Sequence, residues 1–204
     1  LKLPSDFTNE ISKMPVEVRV KLNEGGITQG HVDQYGMGWS AKWQRFIIPV
    51  YRDSERNGFI ARYFADEDLP KYITRYKDDS DLWTYINPPT VHLCDDVAVI
   101  VEDMWSAIRV SKFCPSVALL GTEMGDKCLD RVTNEHDKFM IFLDDDNYTV
   151  KRKAVAIKDR LTMVGKRAII IHSGGTDPKE FKDSDLRKIL EDARHELLGT
   201  VSHT

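Results

Sequence analysis

Two groups of carboxylates stand directly behind apolar runs in this 204-residue chain: Glu102-Asp103 after VAVIV (97–101), and Asp144-Asp145-Asp146 after KFMIFL (138–143). Acids at a strand end are commonly no more than the polar punctuation of a chain reaching water. They become chemistry if they converge. Like charges held together repel, raise one another's pKa and cost stability unless a cation neutralises them, and hard oxygen donors suit Mg²⁺ or Mn²⁺. In an extended segment residues i and i+2 face the same side, so Asp144 and Asp146 would present together and Asp145 away from them. Glu102, Asp144 and Asp146 are therefore candidate metal ligands, if the fold brings the two groups to one place.

The pattern from Asp96 onward supplies such a fold. VAVIV, SVALL (116–120), KFMIFL and RAIIIH (167–172) alternate with amphipathic stretches: DMWSAIRVSKF, EMGDKCLDRV, Thr149 to Met163, and DSDLRKILEDARHELL. Continuous apolar strands joined by helices of this length predict a four-stranded, mainly parallel Rossmann-like sheet with helices on both faces. The C-terminal ends of parallel strands share one edge, where open α/β sheets hold their ligands. Glu102 ends the first strand and Asp144-Asp145-Asp146 the third, so the groups can meet there. His172 ends the fourth strand on the same edge and reads better as a satisfied structural histidine than as a ligand.

Residues 1–93 have a different texture. WQRFIIPVY (43–51) and GFIARYF (58–64), joined by RDSERN, predict a β-hairpin preceded by a short helix near Val16 to Leu22. The expected organisation is an α+β subdomain over 1–93, the α/β domain over 94–180 and a C-terminal helix over 181–204, with INPPT (86–90) as a linker because consecutive prolines suit neither helix nor strand. YGMGWS (35–40) lacks the full phosphate-binding pattern and reads as a turn. Trp39, Trp43, Trp83 and Trp105 could stack on bases, although core packing explains most of them better. Beginning at Leu1 rather than Met, the chain is expected to be a fragment of something longer.

Composition narrows the function. A net charge of −4 argues against a nucleic-acid binder held by overall charge, but the distribution is uneven. Residues 94–147 carry 12 acids against 5 bases and residues 148–204 carry 8 against 12, a carboxylate-rich segment beside a basic one. No apolar run approaches the roughly 20 residues of a membrane span, and no secretory signal is present, so a cytoplasmic protein without membrane contact is expected. Cys94, Cys114 and Cys128 are odd in number and show no CxxC spacing, which argues against a disulfide framework or a zinc ribbon within this segment.

The strand-terminal Glu102 with the later Asp144 and Asp146 resembles the TOPRIM domain shared by DnaG-type primases, topoisomerases, and some nucleases and recombination proteins. Gly121-Thr122 after the second strand and Asp177-Pro178 after the fourth match the same pattern. RFIIPVYRDSERNGFIARYF followed by LPKYIT (69–74) is similar to the signature of the primase N-terminal subdomain, which the other TOPRIM families do not carry. VEDMWSAIRVS has a bacteriophage flavour. The matches span roughly residues 30 to 190.

The resemblance implies a primase RNA polymerase domain that joins ribonucleoside triphosphates on a single-stranded DNA template, in the cytoplasm of a host cell if phage-encoded. It implies catalytic Glu102, Asp144 and Asp146 holding Mg²⁺ or Mn²⁺, and Arg45, Arg62, Lys71 and Lys151 facing nucleic acid or nucleotide phosphates. A zinc-ribbon domain upstream and a helicase downstream or in trans are the partners it implies. Four positions depart from the pattern. Asp103 stands where bacterial enzymes usually have Gly, Ser106 where they often have a further Asp, Tyr148-Thr149 where Ala-Gly commonly follows the acidic pair, and Lys179 where an acid sometimes follows Asp-Pro. A ligand is thus expected to have been lost or moved, with Asp103, Asp145 and Asp177 as further candidates. The helical subdomain that follows TOPRIM in bacterial primases is at most one helix here. The alternatives are a TOPRIM nuclease, a nucleic-acid-binding scaffold without catalysis, and a receiver-like domain with an acidic Mg²⁺ pocket, against which the N-terminal signature stands.

Overall fold

A computed structural model describes residues 2–52, 55–64, 69–76, 83–86, 96–145 and 147–199. The chain divides into two compact units, Leu1–Asp79 and Ser80–Thr204. Among the described residues no helix is long and apolar enough to cross a membrane.

The first unit is an antiparallel sheet in the order β1-β2-β3-β4-β5, formed by Phe7–Thr8, Gly38–Ser40, Arg45–Arg52, Glu55–Arg62 and Tyr72–Tyr76. The helices α1 (Val16–Glu24) and α2 (Gln29–Tyr35) precede β2. β3 and β4 form the expected hairpin, with a register shift at Val50/Tyr51 that bends it. Alternation turns Ile47, Phe59 and Ala61 into a small core, which Leu3, Phe7, Trp43 and Ile73 cover. Gly58 is required by close approach: a Cβ there would lie 2.2 Å from the Arg75 carbonyl oxygen of β5. The YGMGWS stretch is a turn only at Gly36, the left-handed cap of α2; its second glycine opens β2.

The second unit is a five-stranded sheet in the order β10-β9-β7-β8-β6. β7 (Ala98–Val101), β8 (Ser116–Ala118), β9 (Lys138–Ile141) and β10 (Arg167–Ile170) are parallel, as the apolar runs predict. The edge strand β6 (Thr84–Ile86) runs antiparallel to β8. This strand moves the boundary expected after residue 93 to between Asp79 and Ser80, because its backbone pairs with the second sheet. A three-residue edge strand has too little periodicity to be read from sequence. Asn87 to Thr90 of the expected linker, and Cys94, lie outside the described residues.

Helices α4 (Asp126–Glu135) and α5 (Tyr148–Met163) pack Cys128, Leu129, Val132, Ala154, Ile157 and Leu161 against Ala98, Ile100, Phe139 and Ile141 of the sheet. Residues on alternate strand positions point to the other face, which α3 (Met104–Val110) and α6 (Asp183–Leu198) cover. α6 packs on β9 and β10, so the C-terminal helix is a layer of this unit. α3 is tied to the chain entering α6 by polar groups. Arg109 donates to the Phe181 carbonyl at 2.5 Å and pairs with Asp183 at 2.8 Å, and Lys112 reaches the same carboxylate at 2.9 Å.

Candidate active site

In the sheet order the chain leaves β7 for β8 on one side and returns to β9 on the other, so the direction of winding reverses between β7 and β9. That reversal opens a crevice at the C-terminal ends of the two strands. Glu102 follows β7 directly, and Asp144 stands three residues beyond β9, whose pairing continues through a Phe142 N–H to Ile100 carbonyl bond of 2.8 Å. Burial pushes the Glu102 carboxyl up from 4.5 to about 7, and the charges of Asp103, Asp144 and Asp177 push the same way, with Lys179 opposing. The structure thus brings together acids that lie up to 75 positions apart in sequence.

Asp103 caps α3, accepting the Ser106 N–H at 2.8 Å. Asp177 caps a short 3-10 helix (Pro178–Glu180) and accepts the Ser106 hydroxyl at 2.6 Å. Lys179 sits between the two acids, 2.8 Å from Asp103 and bonded to Asp177. Burial alone would lower the Lys179 pKa, but the two carboxylates outweigh it and drive the pKa up, so the ammonium stays charged. Sequence reasoning marked Ser106 and Lys179 only as departures from a pattern. Their partnership depends on a contact over 71 to 76 positions, and an amine in place of an acid was its one signal.

Asp145 is held by protein donors. It is 8% exposed, and Oδ1 accepts the Gly175 N–H at 2.6 Å and the Ser173 hydroxyl at 3.0 Å, while Oδ2 lies 3.6 Å from His172 Nδ1. Burial raises its pKa, but the Gly175 and Ser173 bonds and the charge of Lys151 outweigh that and hold it below the ordinary value. Asp145 therefore braces the loop after β10. Exposed His172 is its neighbour. Asp146 lies outside the described residues.

Among the described residues, no three acidic, histidine or cysteine side chains already enclose a point as a metal cage would. The fit of Mg²⁺ or Mn²⁺ to this edge is instead one of donor chemistry. The neighbours that act on Glu102 among the described residues include the hard oxygens of Asp103, Asp144 and Asp177, and burial with their repulsion, which a cation would relieve, raises the Glu102 carboxyl above its ordinary value.

The cations expected to face nucleic acid fare unequally. Arg45 is 4% exposed, donates to the carbonyls of Ala61 at 3.3 Å and Pro70 at 2.8 Å, and lies over the Tyr63 ring. A buried guanidinium committed to carbonyls ties strands together, and this corrects its expected place on the surface. Arg62 is half-buried, with its guanidinium 5.1 Å from the Phe64 ring and 5.5 Å from the Tyr72 ring, and exposed Lys71 approaches the same Tyr72. Lys151 is exposed on the first turn of α5. Trp39, Trp83 and Trp105 are buried, and Trp43 packs edge-on against Phe59.

A doubly wound sheet accompanied by an antiparallel sheet unit is an α/β architecture that solved structures share. The chain has the fold of a DnaG-type primase catalytic core. It superposes on the DnaG catalytic core with a TM-score of 0.67 at 14% identity, covering 92% of this chain and 75% of that one. The DnaG primase catalytic domain bound to single-stranded DNA gives the same TM-score and identity, covering 92% and 73%. The Aquifex aeolicus primase, comprising zinc-binding and RNA polymerase domains, gives 0.58 at 20% identity, and this chain, 93% covered, spans 57% of its length. No family model matches the sequence, and no curated protein does.

Proposed function

We propose that the chain is the RNA polymerase core of a DnaG-type primase, of TOPRIM type, which makes short RNA primers from ribonucleoside triphosphates on single-stranded DNA. The observation that supports it best is the meeting of Glu102 and Asp144 at the strand-order reversal of a sheet with the primase-core fold, where burial and neighbouring acids raise Glu102 to about 7. Glu102 and Asp144, with Asp146, would hold Mg²⁺ or Mn²⁺. Bound metal would supply stabilisation of the charge that develops during nucleotidyl transfer. Asp145 keeps the loop beyond β10 in place, and the Asp103–Lys179–Asp177 cluster holds α3 against the segment that follows that loop.

The template would lie against cations and rings of the first unit. Arg62, Lys71 and Tyr72 combine phosphate attraction with a stacking surface, the two components that bind single strands with little sequence preference. Lys151 would serve the triphosphate. A zinc-binding domain like that of the Aquifex aeolicus primase, and a helicase, are the partners this function calls for. The setting would be the cytoplasm, of a bacterial host if the chain is phage-encoded.

The test is oligoribonucleotide synthesis from labelled triphosphates on single-stranded DNA with Mg²⁺ or Mn²⁺, scored beside nicking of supercoiled plasmid. Glu102→Gln keeps shape but removes charge and basicity, and should lower synthesis by at least about 10²-fold, the scale of one preorganised electrostatic element. Synthesis that survives Glu102→Gln would sink the assignment, and metal-dependent nicking without synthesis would make the protein a nuclease.

A further inference from the structure

The acids at this edge are not equivalent. Asp103 Oδ1 accepts the Ser106 N–H at 2.8 Å, and Oδ2 takes the Lys179 ammonium at 2.8 Å. Asp177 Oδ1 accepts the Ser106 hydroxyl at 2.6 Å and the Lys179 backbone N–H at 3.2 Å, and Oδ2 takes the same ammonium. All four oxygens of this pair are thus used by protein donors. Glu102, beside them, accepts no hydrogen bond from any described residue. The Asp103–Asp177 pair is satisfied internally, whereas the Glu102 carboxylate is open.

We propose that Lys179 is a tethered counter-ion occupying the Asp103–Asp177 half of the edge in place of a divalent cation, so that the protein binds one Mg²⁺ or Mn²⁺, on the Glu102 and Asp144 side. With all four oxygens of the pair engaged, a divalent ion could enter only by displacing the ammonium, against its charge. Mg²⁺ needs oxygens at about 2.0–2.1 Å in near-octahedral order, whereas the ammonium already fills the gap between the two acids. The tethered charge also needs no free-ion concentration, because its chain places it there. Lys179 is a positioning residue in this arrangement: with Ser106 it fixes the start of α3 to the segment after β10, and it leaves Glu102 as the open acid.

The inference rests on the primase reading, and counting bound Mn²⁺ separates the two. Equilibrium binding of Mn²⁺ to the full chain, followed by the electron paramagnetic resonance of the free ion, should give one ion per chain for wild type. Lys179→Met, which keeps the stem and removes the charge, and Lys179→Asp, which adds a donor, should each give two. Two ions in wild type would overturn the proposal while leaving the metal-dependent reading intact. One ion in wild type and in whichever of the two variants folds would overturn it as well. No Mn²⁺ bound by any of the proteins would remove the metal-dependent reading and this inference together.

Discussion

Glu102 shows how much of a residue's behaviour belongs to its surroundings. An isolated glutamate ionises near 4.5, and here burial and the acids around it move that to about 7. The folded protein therefore holds a proton that the unfolded chain has lost between those values. By linkage, the stabilisation from this group is fully present below 4.5 and is lost as the pH rises through about 7. Other carboxylates, Asp96 and Asp183 among them, shift downward and act in the opposite sense, so the informative quantity is a difference. In metal-free buffer, Glu102→Gln should match wild type in urea denaturation near pH 5 and become progressively more stable than wild type up to pH 8. A pH-independent difference would mean that Glu102 is an ordinary exposed acid. Asp145 makes the converse point. Its neighbours in sequence suggest a spare ligand, whereas its hydrogen bonds to Gly175 and Ser173 make it a brace.

At the scale of elements, α3 is the piece on which the edge depends, since Asp103 caps it and Ser106 and Lys179 lock its first turn. Its other end is held to the start of α6 by Arg109 and Lys112, both on Asp183. The two ties are unequal. The Arg109 side chain is 12% exposed and also serves the Phe181 carbonyl, whereas the Lys112 side chain is 32% exposed and makes only the ion pair among the described residues. Arg109→Met should therefore cost about 1.5–3 kcal/mol, the range for a hydrogen bond to a charged group, and Lys112→Ala less than about 1 kcal/mol. Chemical denaturation of the two variants checks the order. Equal losses would show that α3 is held by its apolar face alone, through residues such as Trp105 and Ile108.

For the whole molecule, a net charge of −4 means that any hold on a polyanion must be local. Under the proposed function that place is the Arg62, Lys71 and Tyr72 group of the first unit, while Arg45 is consumed in holding the sheet together. Lys71→Ala and Arg62→Ala should each weaken binding to single-stranded DNA several-fold at low salt. Each should also reduce the slope of log affinity against log salt by roughly 0.7, the value for one lost phosphate contact on a single strand. Fluorescence anisotropy of a labelled oligonucleotide over a salt series reads both quantities. Unchanged slopes would leave Lys71 as a solvated cation and Arg62 as a packing partner of Phe64 and Tyr72.

The four parallel strands, the helices between them and the β3–β4 hairpin were legible in sequence because hydrophobic periodicity is local: each apolar run or amphipathic stretch declares its own element. That Glu102 and Asp144 would share an edge was legible too, since every parallel strand of such a sheet ends on the same side. The edge strand β6, which shifts the division of the chain to Asp79/Ser80, was not, because three residues carry no period. Nor were the fates of individual polar side chains. Arg45 and Asp145 are spent on carbonyls and amides, and Lys179 lies between Asp103 and Asp177, by contacts that close only when distant segments pack. Sequence determines which residues can reach an edge, through periods of two and 3.6 along the chain. Which of them remain available for a ligand is decided by tertiary structure, because a buried polar group must find a partner and takes the one that packing brings within reach.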